Sequence, residues 1–109
     1  MDRREERIVK NEIVFREVNE QVESLSGGSG APRSFTAICE CGSAACRESI
    51  TIERASYQAI RAHPNRFIVR PTHAIEDVED VVEDHDSWVV VAKKPGEPSE
   101  LARATDPRR

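Results

Sequence analysis

The chain has 109 residues, of which 33% are charged and 38% are hydrophobic, and its formal net charge is −4. This length fits one small domain, and domains of this size often need a metal or a disulfide to supplement their core. An acidic total argues against the broad basic surface of a nucleic-acid-binding protein. No apolar run approaches the length of a membrane-spanning helix. The charged start MDRREER lacks the apolar region of a signal peptide, so we expect a cytoplasmic protein with reduced thiols.

The first predicted element is an amphipathic helix from Arg3 to Leu25, within a separate segment 1–26. Its apolar residues recur on one stripe that also contains an asparagine. The stripe consists of Ile8, Asn11, Phe15, Val18, Val22 and Leu25. The spacing is similar to a coiled-coil seam, in which one buried Asn sets register and partner number. Two interpretations stay open: the helix lies on its own domain, or it docks on another chain or on a second copy.

The rest of the chain is predicted to be a linker, a domain and a tail. Residues 27–34 are rich in Gly, Ser and Pro and form a flexible linker. Residues 35–94 contain the three cysteines of the chain. They are predicted to form a zinc-finger-like α+β domain with a small antiparallel β-sheet, one further helix and a metal-binding β-turn. Residues 95–109 contain three prolines and form a mobile tail.

Within residues 35–94, period-2 runs and turn signals predict five strands around one helix. The strands are Phe35–Cys39, Ser49–Ile52, Arg66–Arg70, Val78–Asp84 and Ser87–Lys93, and the helix is Thr51–His63. The first two strands form a hairpin with the cysteines at its tip. The last two form a second hairpin with Trp88 near its turn.

Three cysteines lie within eight residues, at Cys39, Cys41 and Cys46, and the chain has no other. An odd number cannot all pair within the chain, so metal binding, redox chemistry and burial are the candidate explanations. Three thiolates on a tight turn need one more donor to complete a tetrahedral zinc site. We predict Zn²⁺, with iron or an iron–sulfur cluster and unligated thiols as alternatives. Gly42 favours the metal, because a residue that tolerates positive φ eases the sharp bend at the second ligand.

The fourth metal ligand is predicted to be His73, which follows a strand and Pro71 in a loop that can reach the cysteine hairpin. His63 lies at a predicted helix C-terminus and His85 in an acidic turn, where the helix dipole and ion pairing explain them. The remaining alternatives are water, Glu40 and Glu48. An open fourth position would make the zinc a Lewis acid.

Charged residues surround the cysteines, namely Glu40, Arg47 and Glu48. Exposed charges are usually solvated surface, and we interpret each of the three in this way. Arg47 follows Cys46 directly, so its guanidinium can also offset the negative charge of three thiolates.

Two family resemblances bear on the cysteine turn. Cys39 and Cys41 match the start of the iron–sulfur motif CxCx2(S/T)x3PxCDG(S/A/T)H, and the rest of that motif does not follow. A broader pattern consists of RxxxNExxFRxVNE from Arg7 to Glu20, then CxCGxxxC, RFxVxPxH and WVVVxKK. It resembles a group of small actinobacterial proteins with an N-terminal helix and a zinc-finger-like domain. The resemblance implies that helix, cysteine turn and His73 belong to one unit, with Thr72 where the group usually has glycine.

The leading functional interpretation is a non-enzymatic protein-interaction or regulatory module. The sequence lacks a recognisable nucleophile–base pair, phosphate-binding loop or HExxH helix. A protein partner is expected on the N-terminal helix or on the acidic segment Glu76–Asp86, seven of whose eleven residues are acidic. A homodimer is a further option, and a charge-protected hairpin edge is the simpler explanation of the acidic segment.

The alternative function is a nucleic-acid-binding module that is stabilised by zinc. A thiol/redox or iron–sulfur protein is the next alternative. Nucleic-acid binding is supported by five arginines in the net positive middle of the chain, Arg47, Arg54, Arg61, Arg66 and Arg70. Few aromatic side chains accompany them, so a stacking platform for bases is not evident.

Overall fold

The computed structural model describes residues 1–108, which form three helices and five strands in the order α1-β1-β2-α2-β3-β4-β5-α3. The helices are α1 (Arg3–Ser26), α2 (Arg54–Arg61) and α3 (Glu97–Ala104). The strands are β1 (Ser34–Ile38), β2 (Ser49–Glu53), β3 (Arg66–Val69), β4 (Glu79–Asp84) and β5 (Val89–Lys93). This architecture confirms the predicted α+β fold class. None of the helices within residues 1–108 has both the length and the apolar character needed to cross a membrane.

The strands form two antiparallel sheets, and both predicted hairpins are present. In the first sheet β1 pairs with β2, so that Phe35 lies opposite Ile52. Alternate residues of this hairpin are buried, as expected for a sheet with one solvated face. In the second sheet β5 lies between β3 and β4, with Phe67 opposite Val91. The pairing of β3 with β5, which is distant in sequence, was not predicted.

The hydrophobic core contains side chains from both sheets, from α2 and from α3. Phe35 packs edge-on against Tyr57, with ring centroids 5.3 Å apart. Cys39 and Cys41 belong to the same cluster of buried residues. The cysteine turn is therefore a part of the core, and this position brings it within reach of the loop after β3.

Helix α1 begins with a capping box, since the Asp2 side chain accepts a hydrogen bond from Glu5 N and the Glu5 side chain accepts one from Asp2 N. The helix packs against β1 and α3. Of the two interpretations left open by the sequence, the structure therefore shows the helix lying on its own domain.

The buried face of α1 is mainly polar, which the predicted apolar stripe did not anticipate. Glu12, Arg16 and Asn19 are fully buried. By contrast, Val18 and Leu25, which belong to the predicted stripe, are 40% and 86% exposed. The prediction of the buried face is thus wrong for the C-terminal half of the helix.

Specific hydrogen bonds explain why polar residues of α1 face the domain. The Arg16 guanidinium donates to the carbonyl oxygens of Pro64 at 2.6 Å and Ala102 at 2.9 Å, and it lies over the Phe67 ring. The Asn19 side chain donates to Ile38 O and accepts from Ile38 N. These contacts compensate the cost of burying polar groups and fix the rotation of the helix about its axis.

The segment predicted to be a flexible linker is bound to the start of α2. The Arg54 guanidinium donates to backbone carbonyl oxygens of Glu23, Ser26 and Pro32. One side chain thus holds both the end of α1 and the linker.

The predicted mobile tail contains α3, so this prediction is wrong for residues 97–104. Gly96, with φ of 98°, precedes the helix, and its first turn carries a proline and two glutamates, as is typical of a helix N-terminus. Ala102 is fully buried. Ser99 Oγ donates to Lys93 O at 2.8 Å, so α3 is anchored on β5.

Candidate metal centre

The four predicted ligands lie together in the structure. The donor atoms of Cys39, Cys41, Cys46 and His73 are all within 4.8 Å of one another. His73 Nδ1 is 3.5 Å from Cys39 Sγ and 3.7 Å from Cys46 Sγ. Sulfur and nitrogen ligands at about 2.3 Å and about 2.1 Å from one tetrahedral ion would be about 3.6 Å apart. The cluster therefore fits a single tetrahedral metal ion bound through Nδ1 of the histidine.

The cysteine loop is held by its own hydrogen bonds. Cys39 N donates to Glu48 O at 3.0 Å, which extends the β1–β2 ladder to the first ligand. Cys46 N donates to Ser43 O at 3.2 Å, which closes a turn before the third ligand. The Arg47 guanidinium donates to two carbonyl oxygens of this loop, one of them that of Cys46. These bonds hold the loop in the conformation in which its three sulfurs lie close together.

A tight turn after β3 positions the histidine. His73 N donates to Arg70 O at 3.0 Å, with Pro71 and Thr72 as the two central residues. Thr72 has φ of 70°, and this second central position with positive φ favours glycine. A β-branched residue there carries strain of about 1–3 kcal/mol. The threonine at this position is therefore tolerated, although the backbone geometry suits a glycine better.

Gly42 is required by close packing, and the predicted reason, positive φ, is wrong. Among the described residues the glycines with positive φ are at positions 28, 30 and 96. A Cβ atom on Gly42 would lie 2.3 Å from Ile8 Cγ2 and 3.1 Å from the Ile8 backbone. Asn11 Nδ2 also donates to Gly42 O at 3.0 Å. The cysteine loop therefore lies directly against the N-terminal half of α1.

Glu40 is fully buried, so its interpretation as a solvated charge is wrong, and its partners lie away from the metal-binding cluster. Its carboxylate accepts hydrogen bonds from Asn19 Nδ2 at 2.8 Å and from Ile68 N at 3.0 Å, and its backbone N donates to Ile68 O. Burial raises the pKa of the Glu40 carboxyl, and the bond from Asn19 opposes this shift. Glu40 thus joins the cysteine loop to α1 and β3.

The two other histidines lie outside the cluster. His85 Nε2 is 2.8 Å from Glu83 Oε1, and the His85 ring stacks on Trp88 at a centroid distance of 4.0 Å. This contact with a carboxylate of the acidic turn agrees with the surroundings predicted for His85. His63 is exposed at the end of α2.

The ligands differ in their exposure to solvent. Cys39 and Cys41 are each 2% exposed, whereas Cys46 and His73 are partly exposed. Burial raises the pKa of the Cys39 and Cys41 thiols. A metal ion binds cysteine as the thiolate, so metal binding is coupled to the release of protons. Cys41, Cys46 and His73 all line an open cleft of about 480 Å³, whose walls also contain Arg47 and Ile75.

Comparison of the chain with protein-family models, with curated proteins and with solved structures gave no match. The fold and the site alone define its class: a small α+β protein with a cluster of three cysteines and one histidine that can hold a metal ion.

Proposed function

We propose that this chain is a non-enzymatic, zinc-binding protein-interaction or regulatory module of the bacterial cytoplasm. The observation that supports it is the Cys3His donor set, closed around one point and built into the core. Three thiolates and one imidazole in tetrahedral arrangement suit Zn²⁺, which has no redox chemistry and is typical of structural sites with four protein ligands. Cytoplasmic conditions keep such thiols reduced. The resemblance to small actinobacterial proteins supports the bacterial source.

Four protein donors argue against a catalytic metal. A catalytic zinc keeps one position for water or substrate, whereas His73 supplies the fourth donor here. The zinc would therefore stabilise the fold, and the function would reside on the surfaces that the fold presents.

The metal is tested by native mass spectrometry of the freshly purified protein. We expect one zinc ion per chain, lost in the variants Cys41→Ser and His73→Ala because each removes one of the four donors. His63→Ala and His85→Ala serve as matched controls and should retain zinc, since both side chains lie outside the cluster. A metal-free wild-type protein, or the mass of iron or an iron–sulfur cluster, would contradict the proposal.

The favoured interaction surface is the exposed face of α1. Val14, Val18, Val22 and Leu25 lie on this face and are 56%, 40%, 36% and 86% exposed. The opposite face is fixed by its buried polar contacts, so the helix cannot rotate to bury these side chains in its own domain. Apolar residues at helical spacing on a rigid helix are typical of a surface that packs against another protein.

The acidic segment is less suitable as the main interaction surface. Asp77 pairs with Arg4, and Asp80 pairs with Lys94. Glu83 pairs with Arg66 and His85. Several of its charges are thus engaged within the protein, as expected for a protected sheet edge.

Two of the five arginines that supported nucleic-acid binding are likewise engaged within the protein. Arg61 is buried and pairs with Asp106, and Arg54 binds backbone carbonyls and Glu23. Because these guanidinium groups stabilise the fold, they do not add to a basic surface, and the protein-interaction function is favoured.

The variant Val18→Lys/Leu25→Lys tests the helix face. Both positions are exposed and lysine is a good helix former, so we expect an unchanged circular dichroism spectrum. Capture of the native partner by affinity purification should be lost, because two charges would have to be buried in an apolar contact. Analytical ultracentrifugation of the wild type reveals whether a second copy is that partner.

The matched control for this experiment is Val81→Lys, which changes an exposed valine of β4 and should leave capture intact. Undiminished capture by the double variant would refute a role of the helix face. Deletion of residues 1–26 is not a suitable test, since it also removes the buried Glu12, Arg16 and Asn19.

A further inference from the structure

The exposed side of α1 carries one continuous row of side chains along the whole helix. Its members recur at intervals of three and four residues, on the side of the helix opposite the buried Glu12, Arg16 and Asn19. The exposed row consists of Arg3, Arg7, Lys10, Val14, Glu17, Val18, Gln21 and Leu25. The helix has 24 residues and is therefore about 36 Å long. The exposed row is thus long enough to contact a second helix over several turns.

The N-terminal half of the exposed row is basic. It contains Arg3, Arg7 and Lys10. Among residues 1–108, Lys10 pairs with Glu6 of the same helix, whereas Arg3 and Arg7 form no ion pair. The charges of this half are therefore directed to solvent and favour an acidic surface on a partner.

The C-terminal half of the exposed row is apolar and acidic. Glu20 beside it pairs with Arg108, whereas Glu17 has no such partner among residues 1–108. An open cleft of about 450 Å³ lies here, with Glu17, Gln21 and Leu25 in its walls. A lysine or arginine from another molecule suits such a surface, because its methylene groups cover apolar side chains while its charged end reaches a carboxylate. This half therefore complements the basic half of the same helix.

We propose that a second copy of this chain occupies this face, with the two α1 helices antiparallel and related by a two-fold axis at Val14. The proposal rests on the proposed function, in which the exposed face of α1 is the interaction surface. An antiparallel pair brings the basic half of each helix onto the apolar and acidic half of the other. A parallel pair would bring the two basic halves together, which costs free energy. Both subunits use the same surface, as a closed two-fold dimer requires.

The position of the axis follows from the spacing of the exposed row. Val14 lies in its middle, so an axis there overlaps the row over its full length. The pairs across the axis are Lys10 with Val18, Arg7 with Gln21, and Arg3 with Leu25. The methylene groups of Lys10 cover Val18 of the second copy, and its ammonium group reaches the adjacent Glu17. The two Val14 side chains meet at the axis.

The dimer is measured by sedimentation velocity of the wild-type protein over a range of concentrations. We expect a monomer–dimer equilibrium. Its dissociation constant should rise roughly tenfold between about 50 mM and about 500 mM salt, because salt screens charge pairs that are accessible to solvent.

The single variants Lys10→Glu and Glu17→Lys test the antiparallel orientation. Each should weaken dimerisation by at least about tenfold, because like charges then meet at both symmetric contacts. An equimolar mixture of the two should dimerise like the wild type, since every contact of the mixed dimer again joins a carboxylate to an ammonium group. Recovery in the mixture also shows that both variants are folded. Glu53→Lys makes the same charge change on an exposed residue of β2, and this matched control should dimerise like the wild type.

Three results would overturn the dimer. They are a wild-type protein that stays monomeric at about 1 mM, a dimer that neither single variant weakens, and a mixture that does not recover. The proposed function survives these results if Val18→Lys/Leu25→Lys loses its captured partner, which is then a different protein. If that double variant dimerises and captures proteins as the wild type does, the helix face has no role and both proposals fail.

Discussion

Removal of the metal ion, by a chelator or by Cys41→Ser, is expected to lower the free energy of unfolding by at least about 3 kcal/mol, which corresponds to roughly 12–24 °C in melting temperature. Structural zinc sites in small domains have apparent binding free energies of about 10–16 kcal/mol, comparable with the total stability of about 5–15 kcal/mol of a folded protein. Cys41 is 2% exposed and lies in the core, so its ligand bond cannot be replaced by water without opening the structure.

The measurement is thermal unfolding followed by circular dichroism, with and without a strong zinc chelator. Ser43→Ala is the matched control, since Ser43 is an exposed residue of the same loop and should leave the melting temperature almost unchanged. If the chelator and Cys41→Ser both leave the melting temperature unaltered, the metal is not structural. Restoration of the wild-type value by added zinc after chelation would show that the effect is reversible binding.

The metal-binding cluster could be predicted because three of its four ligands lie close together in the sequence. Three cysteines within eight residues can meet on one turn whatever the rest of the fold does. Only His73 is distant in sequence, and its place after a strand and a proline indicated a loop at the same end as the hairpin. Its position next to Cys39 depends on β3 lying beside the cysteine loop, where Glu40 N donates to Ile68 O.

The buried face of α1 could not be predicted from hydrophobic periodicity. Hydrophobic periodicity assigns apolar residues to the interior. This holds for Ile8, but further along the helix the buried positions are Glu12, Arg16 and Asn19. Their partners lie 81, 86 and 19 residues away, on Lys93, Ala102 and Ile38. One signal was present: the three polar residues recur at intervals of four and three, which places them on one face of a helix.

Helix α3 shows a different limit of prediction from sequence. The sequence indicates its start, since Gly96 is followed by acidic residues and Pro98, the usual pattern of a helix N-terminus. Proline content and position near the end of the chain nevertheless suggested a mobile segment. The helix is stabilised by tertiary contacts, among them the buried Ala102 and the hydrogen bond from Ser99 to β5, and such contacts are not visible in a sequence.

Replacement of Lys93 with methionine is the second large expected effect, a loss of about 3–5 kcal/mol of stability. Lys93 is buried on β5, and its Nζ pairs with the buried carboxylates of Glu12 on α1 and Glu79 on β4. It also lies 5.0 Å from the centre of the Phe67 ring. Methionine conserves the volume of the side chain, so the variant tests the charge. Without the ammonium group, two carboxylates remain buried with no cation between them.

The loss of stability in Lys93→Met should depend on pH in a defined direction. Burial already raises the pKa of Glu12 in the wild type, with the adjacent Glu79 as a further cause, and removal of the cation raises it more. The folded protein then binds more protons than the unfolded chain at pH values above the ordinary carboxyl pKa. Stability therefore falls as pH rises through this range, so the deficit relative to the wild type should be larger at pH 8 than at pH 5.

The triple variant Lys93→Met/Glu12→Gln/Glu79→Gln separates charge from packing. Its side chains are neutral and of similar size, so urea unfolding at pH 7 should show that much of the lost stability is recovered. Its deficit should also depend less on pH, because the Glu12 carboxyl with its raised pKa is gone. A triple variant as unstable as Lys93→Met would contradict this account. It would mean that uncompensated buried carboxylates are not the cause of the instability of Lys93→Met.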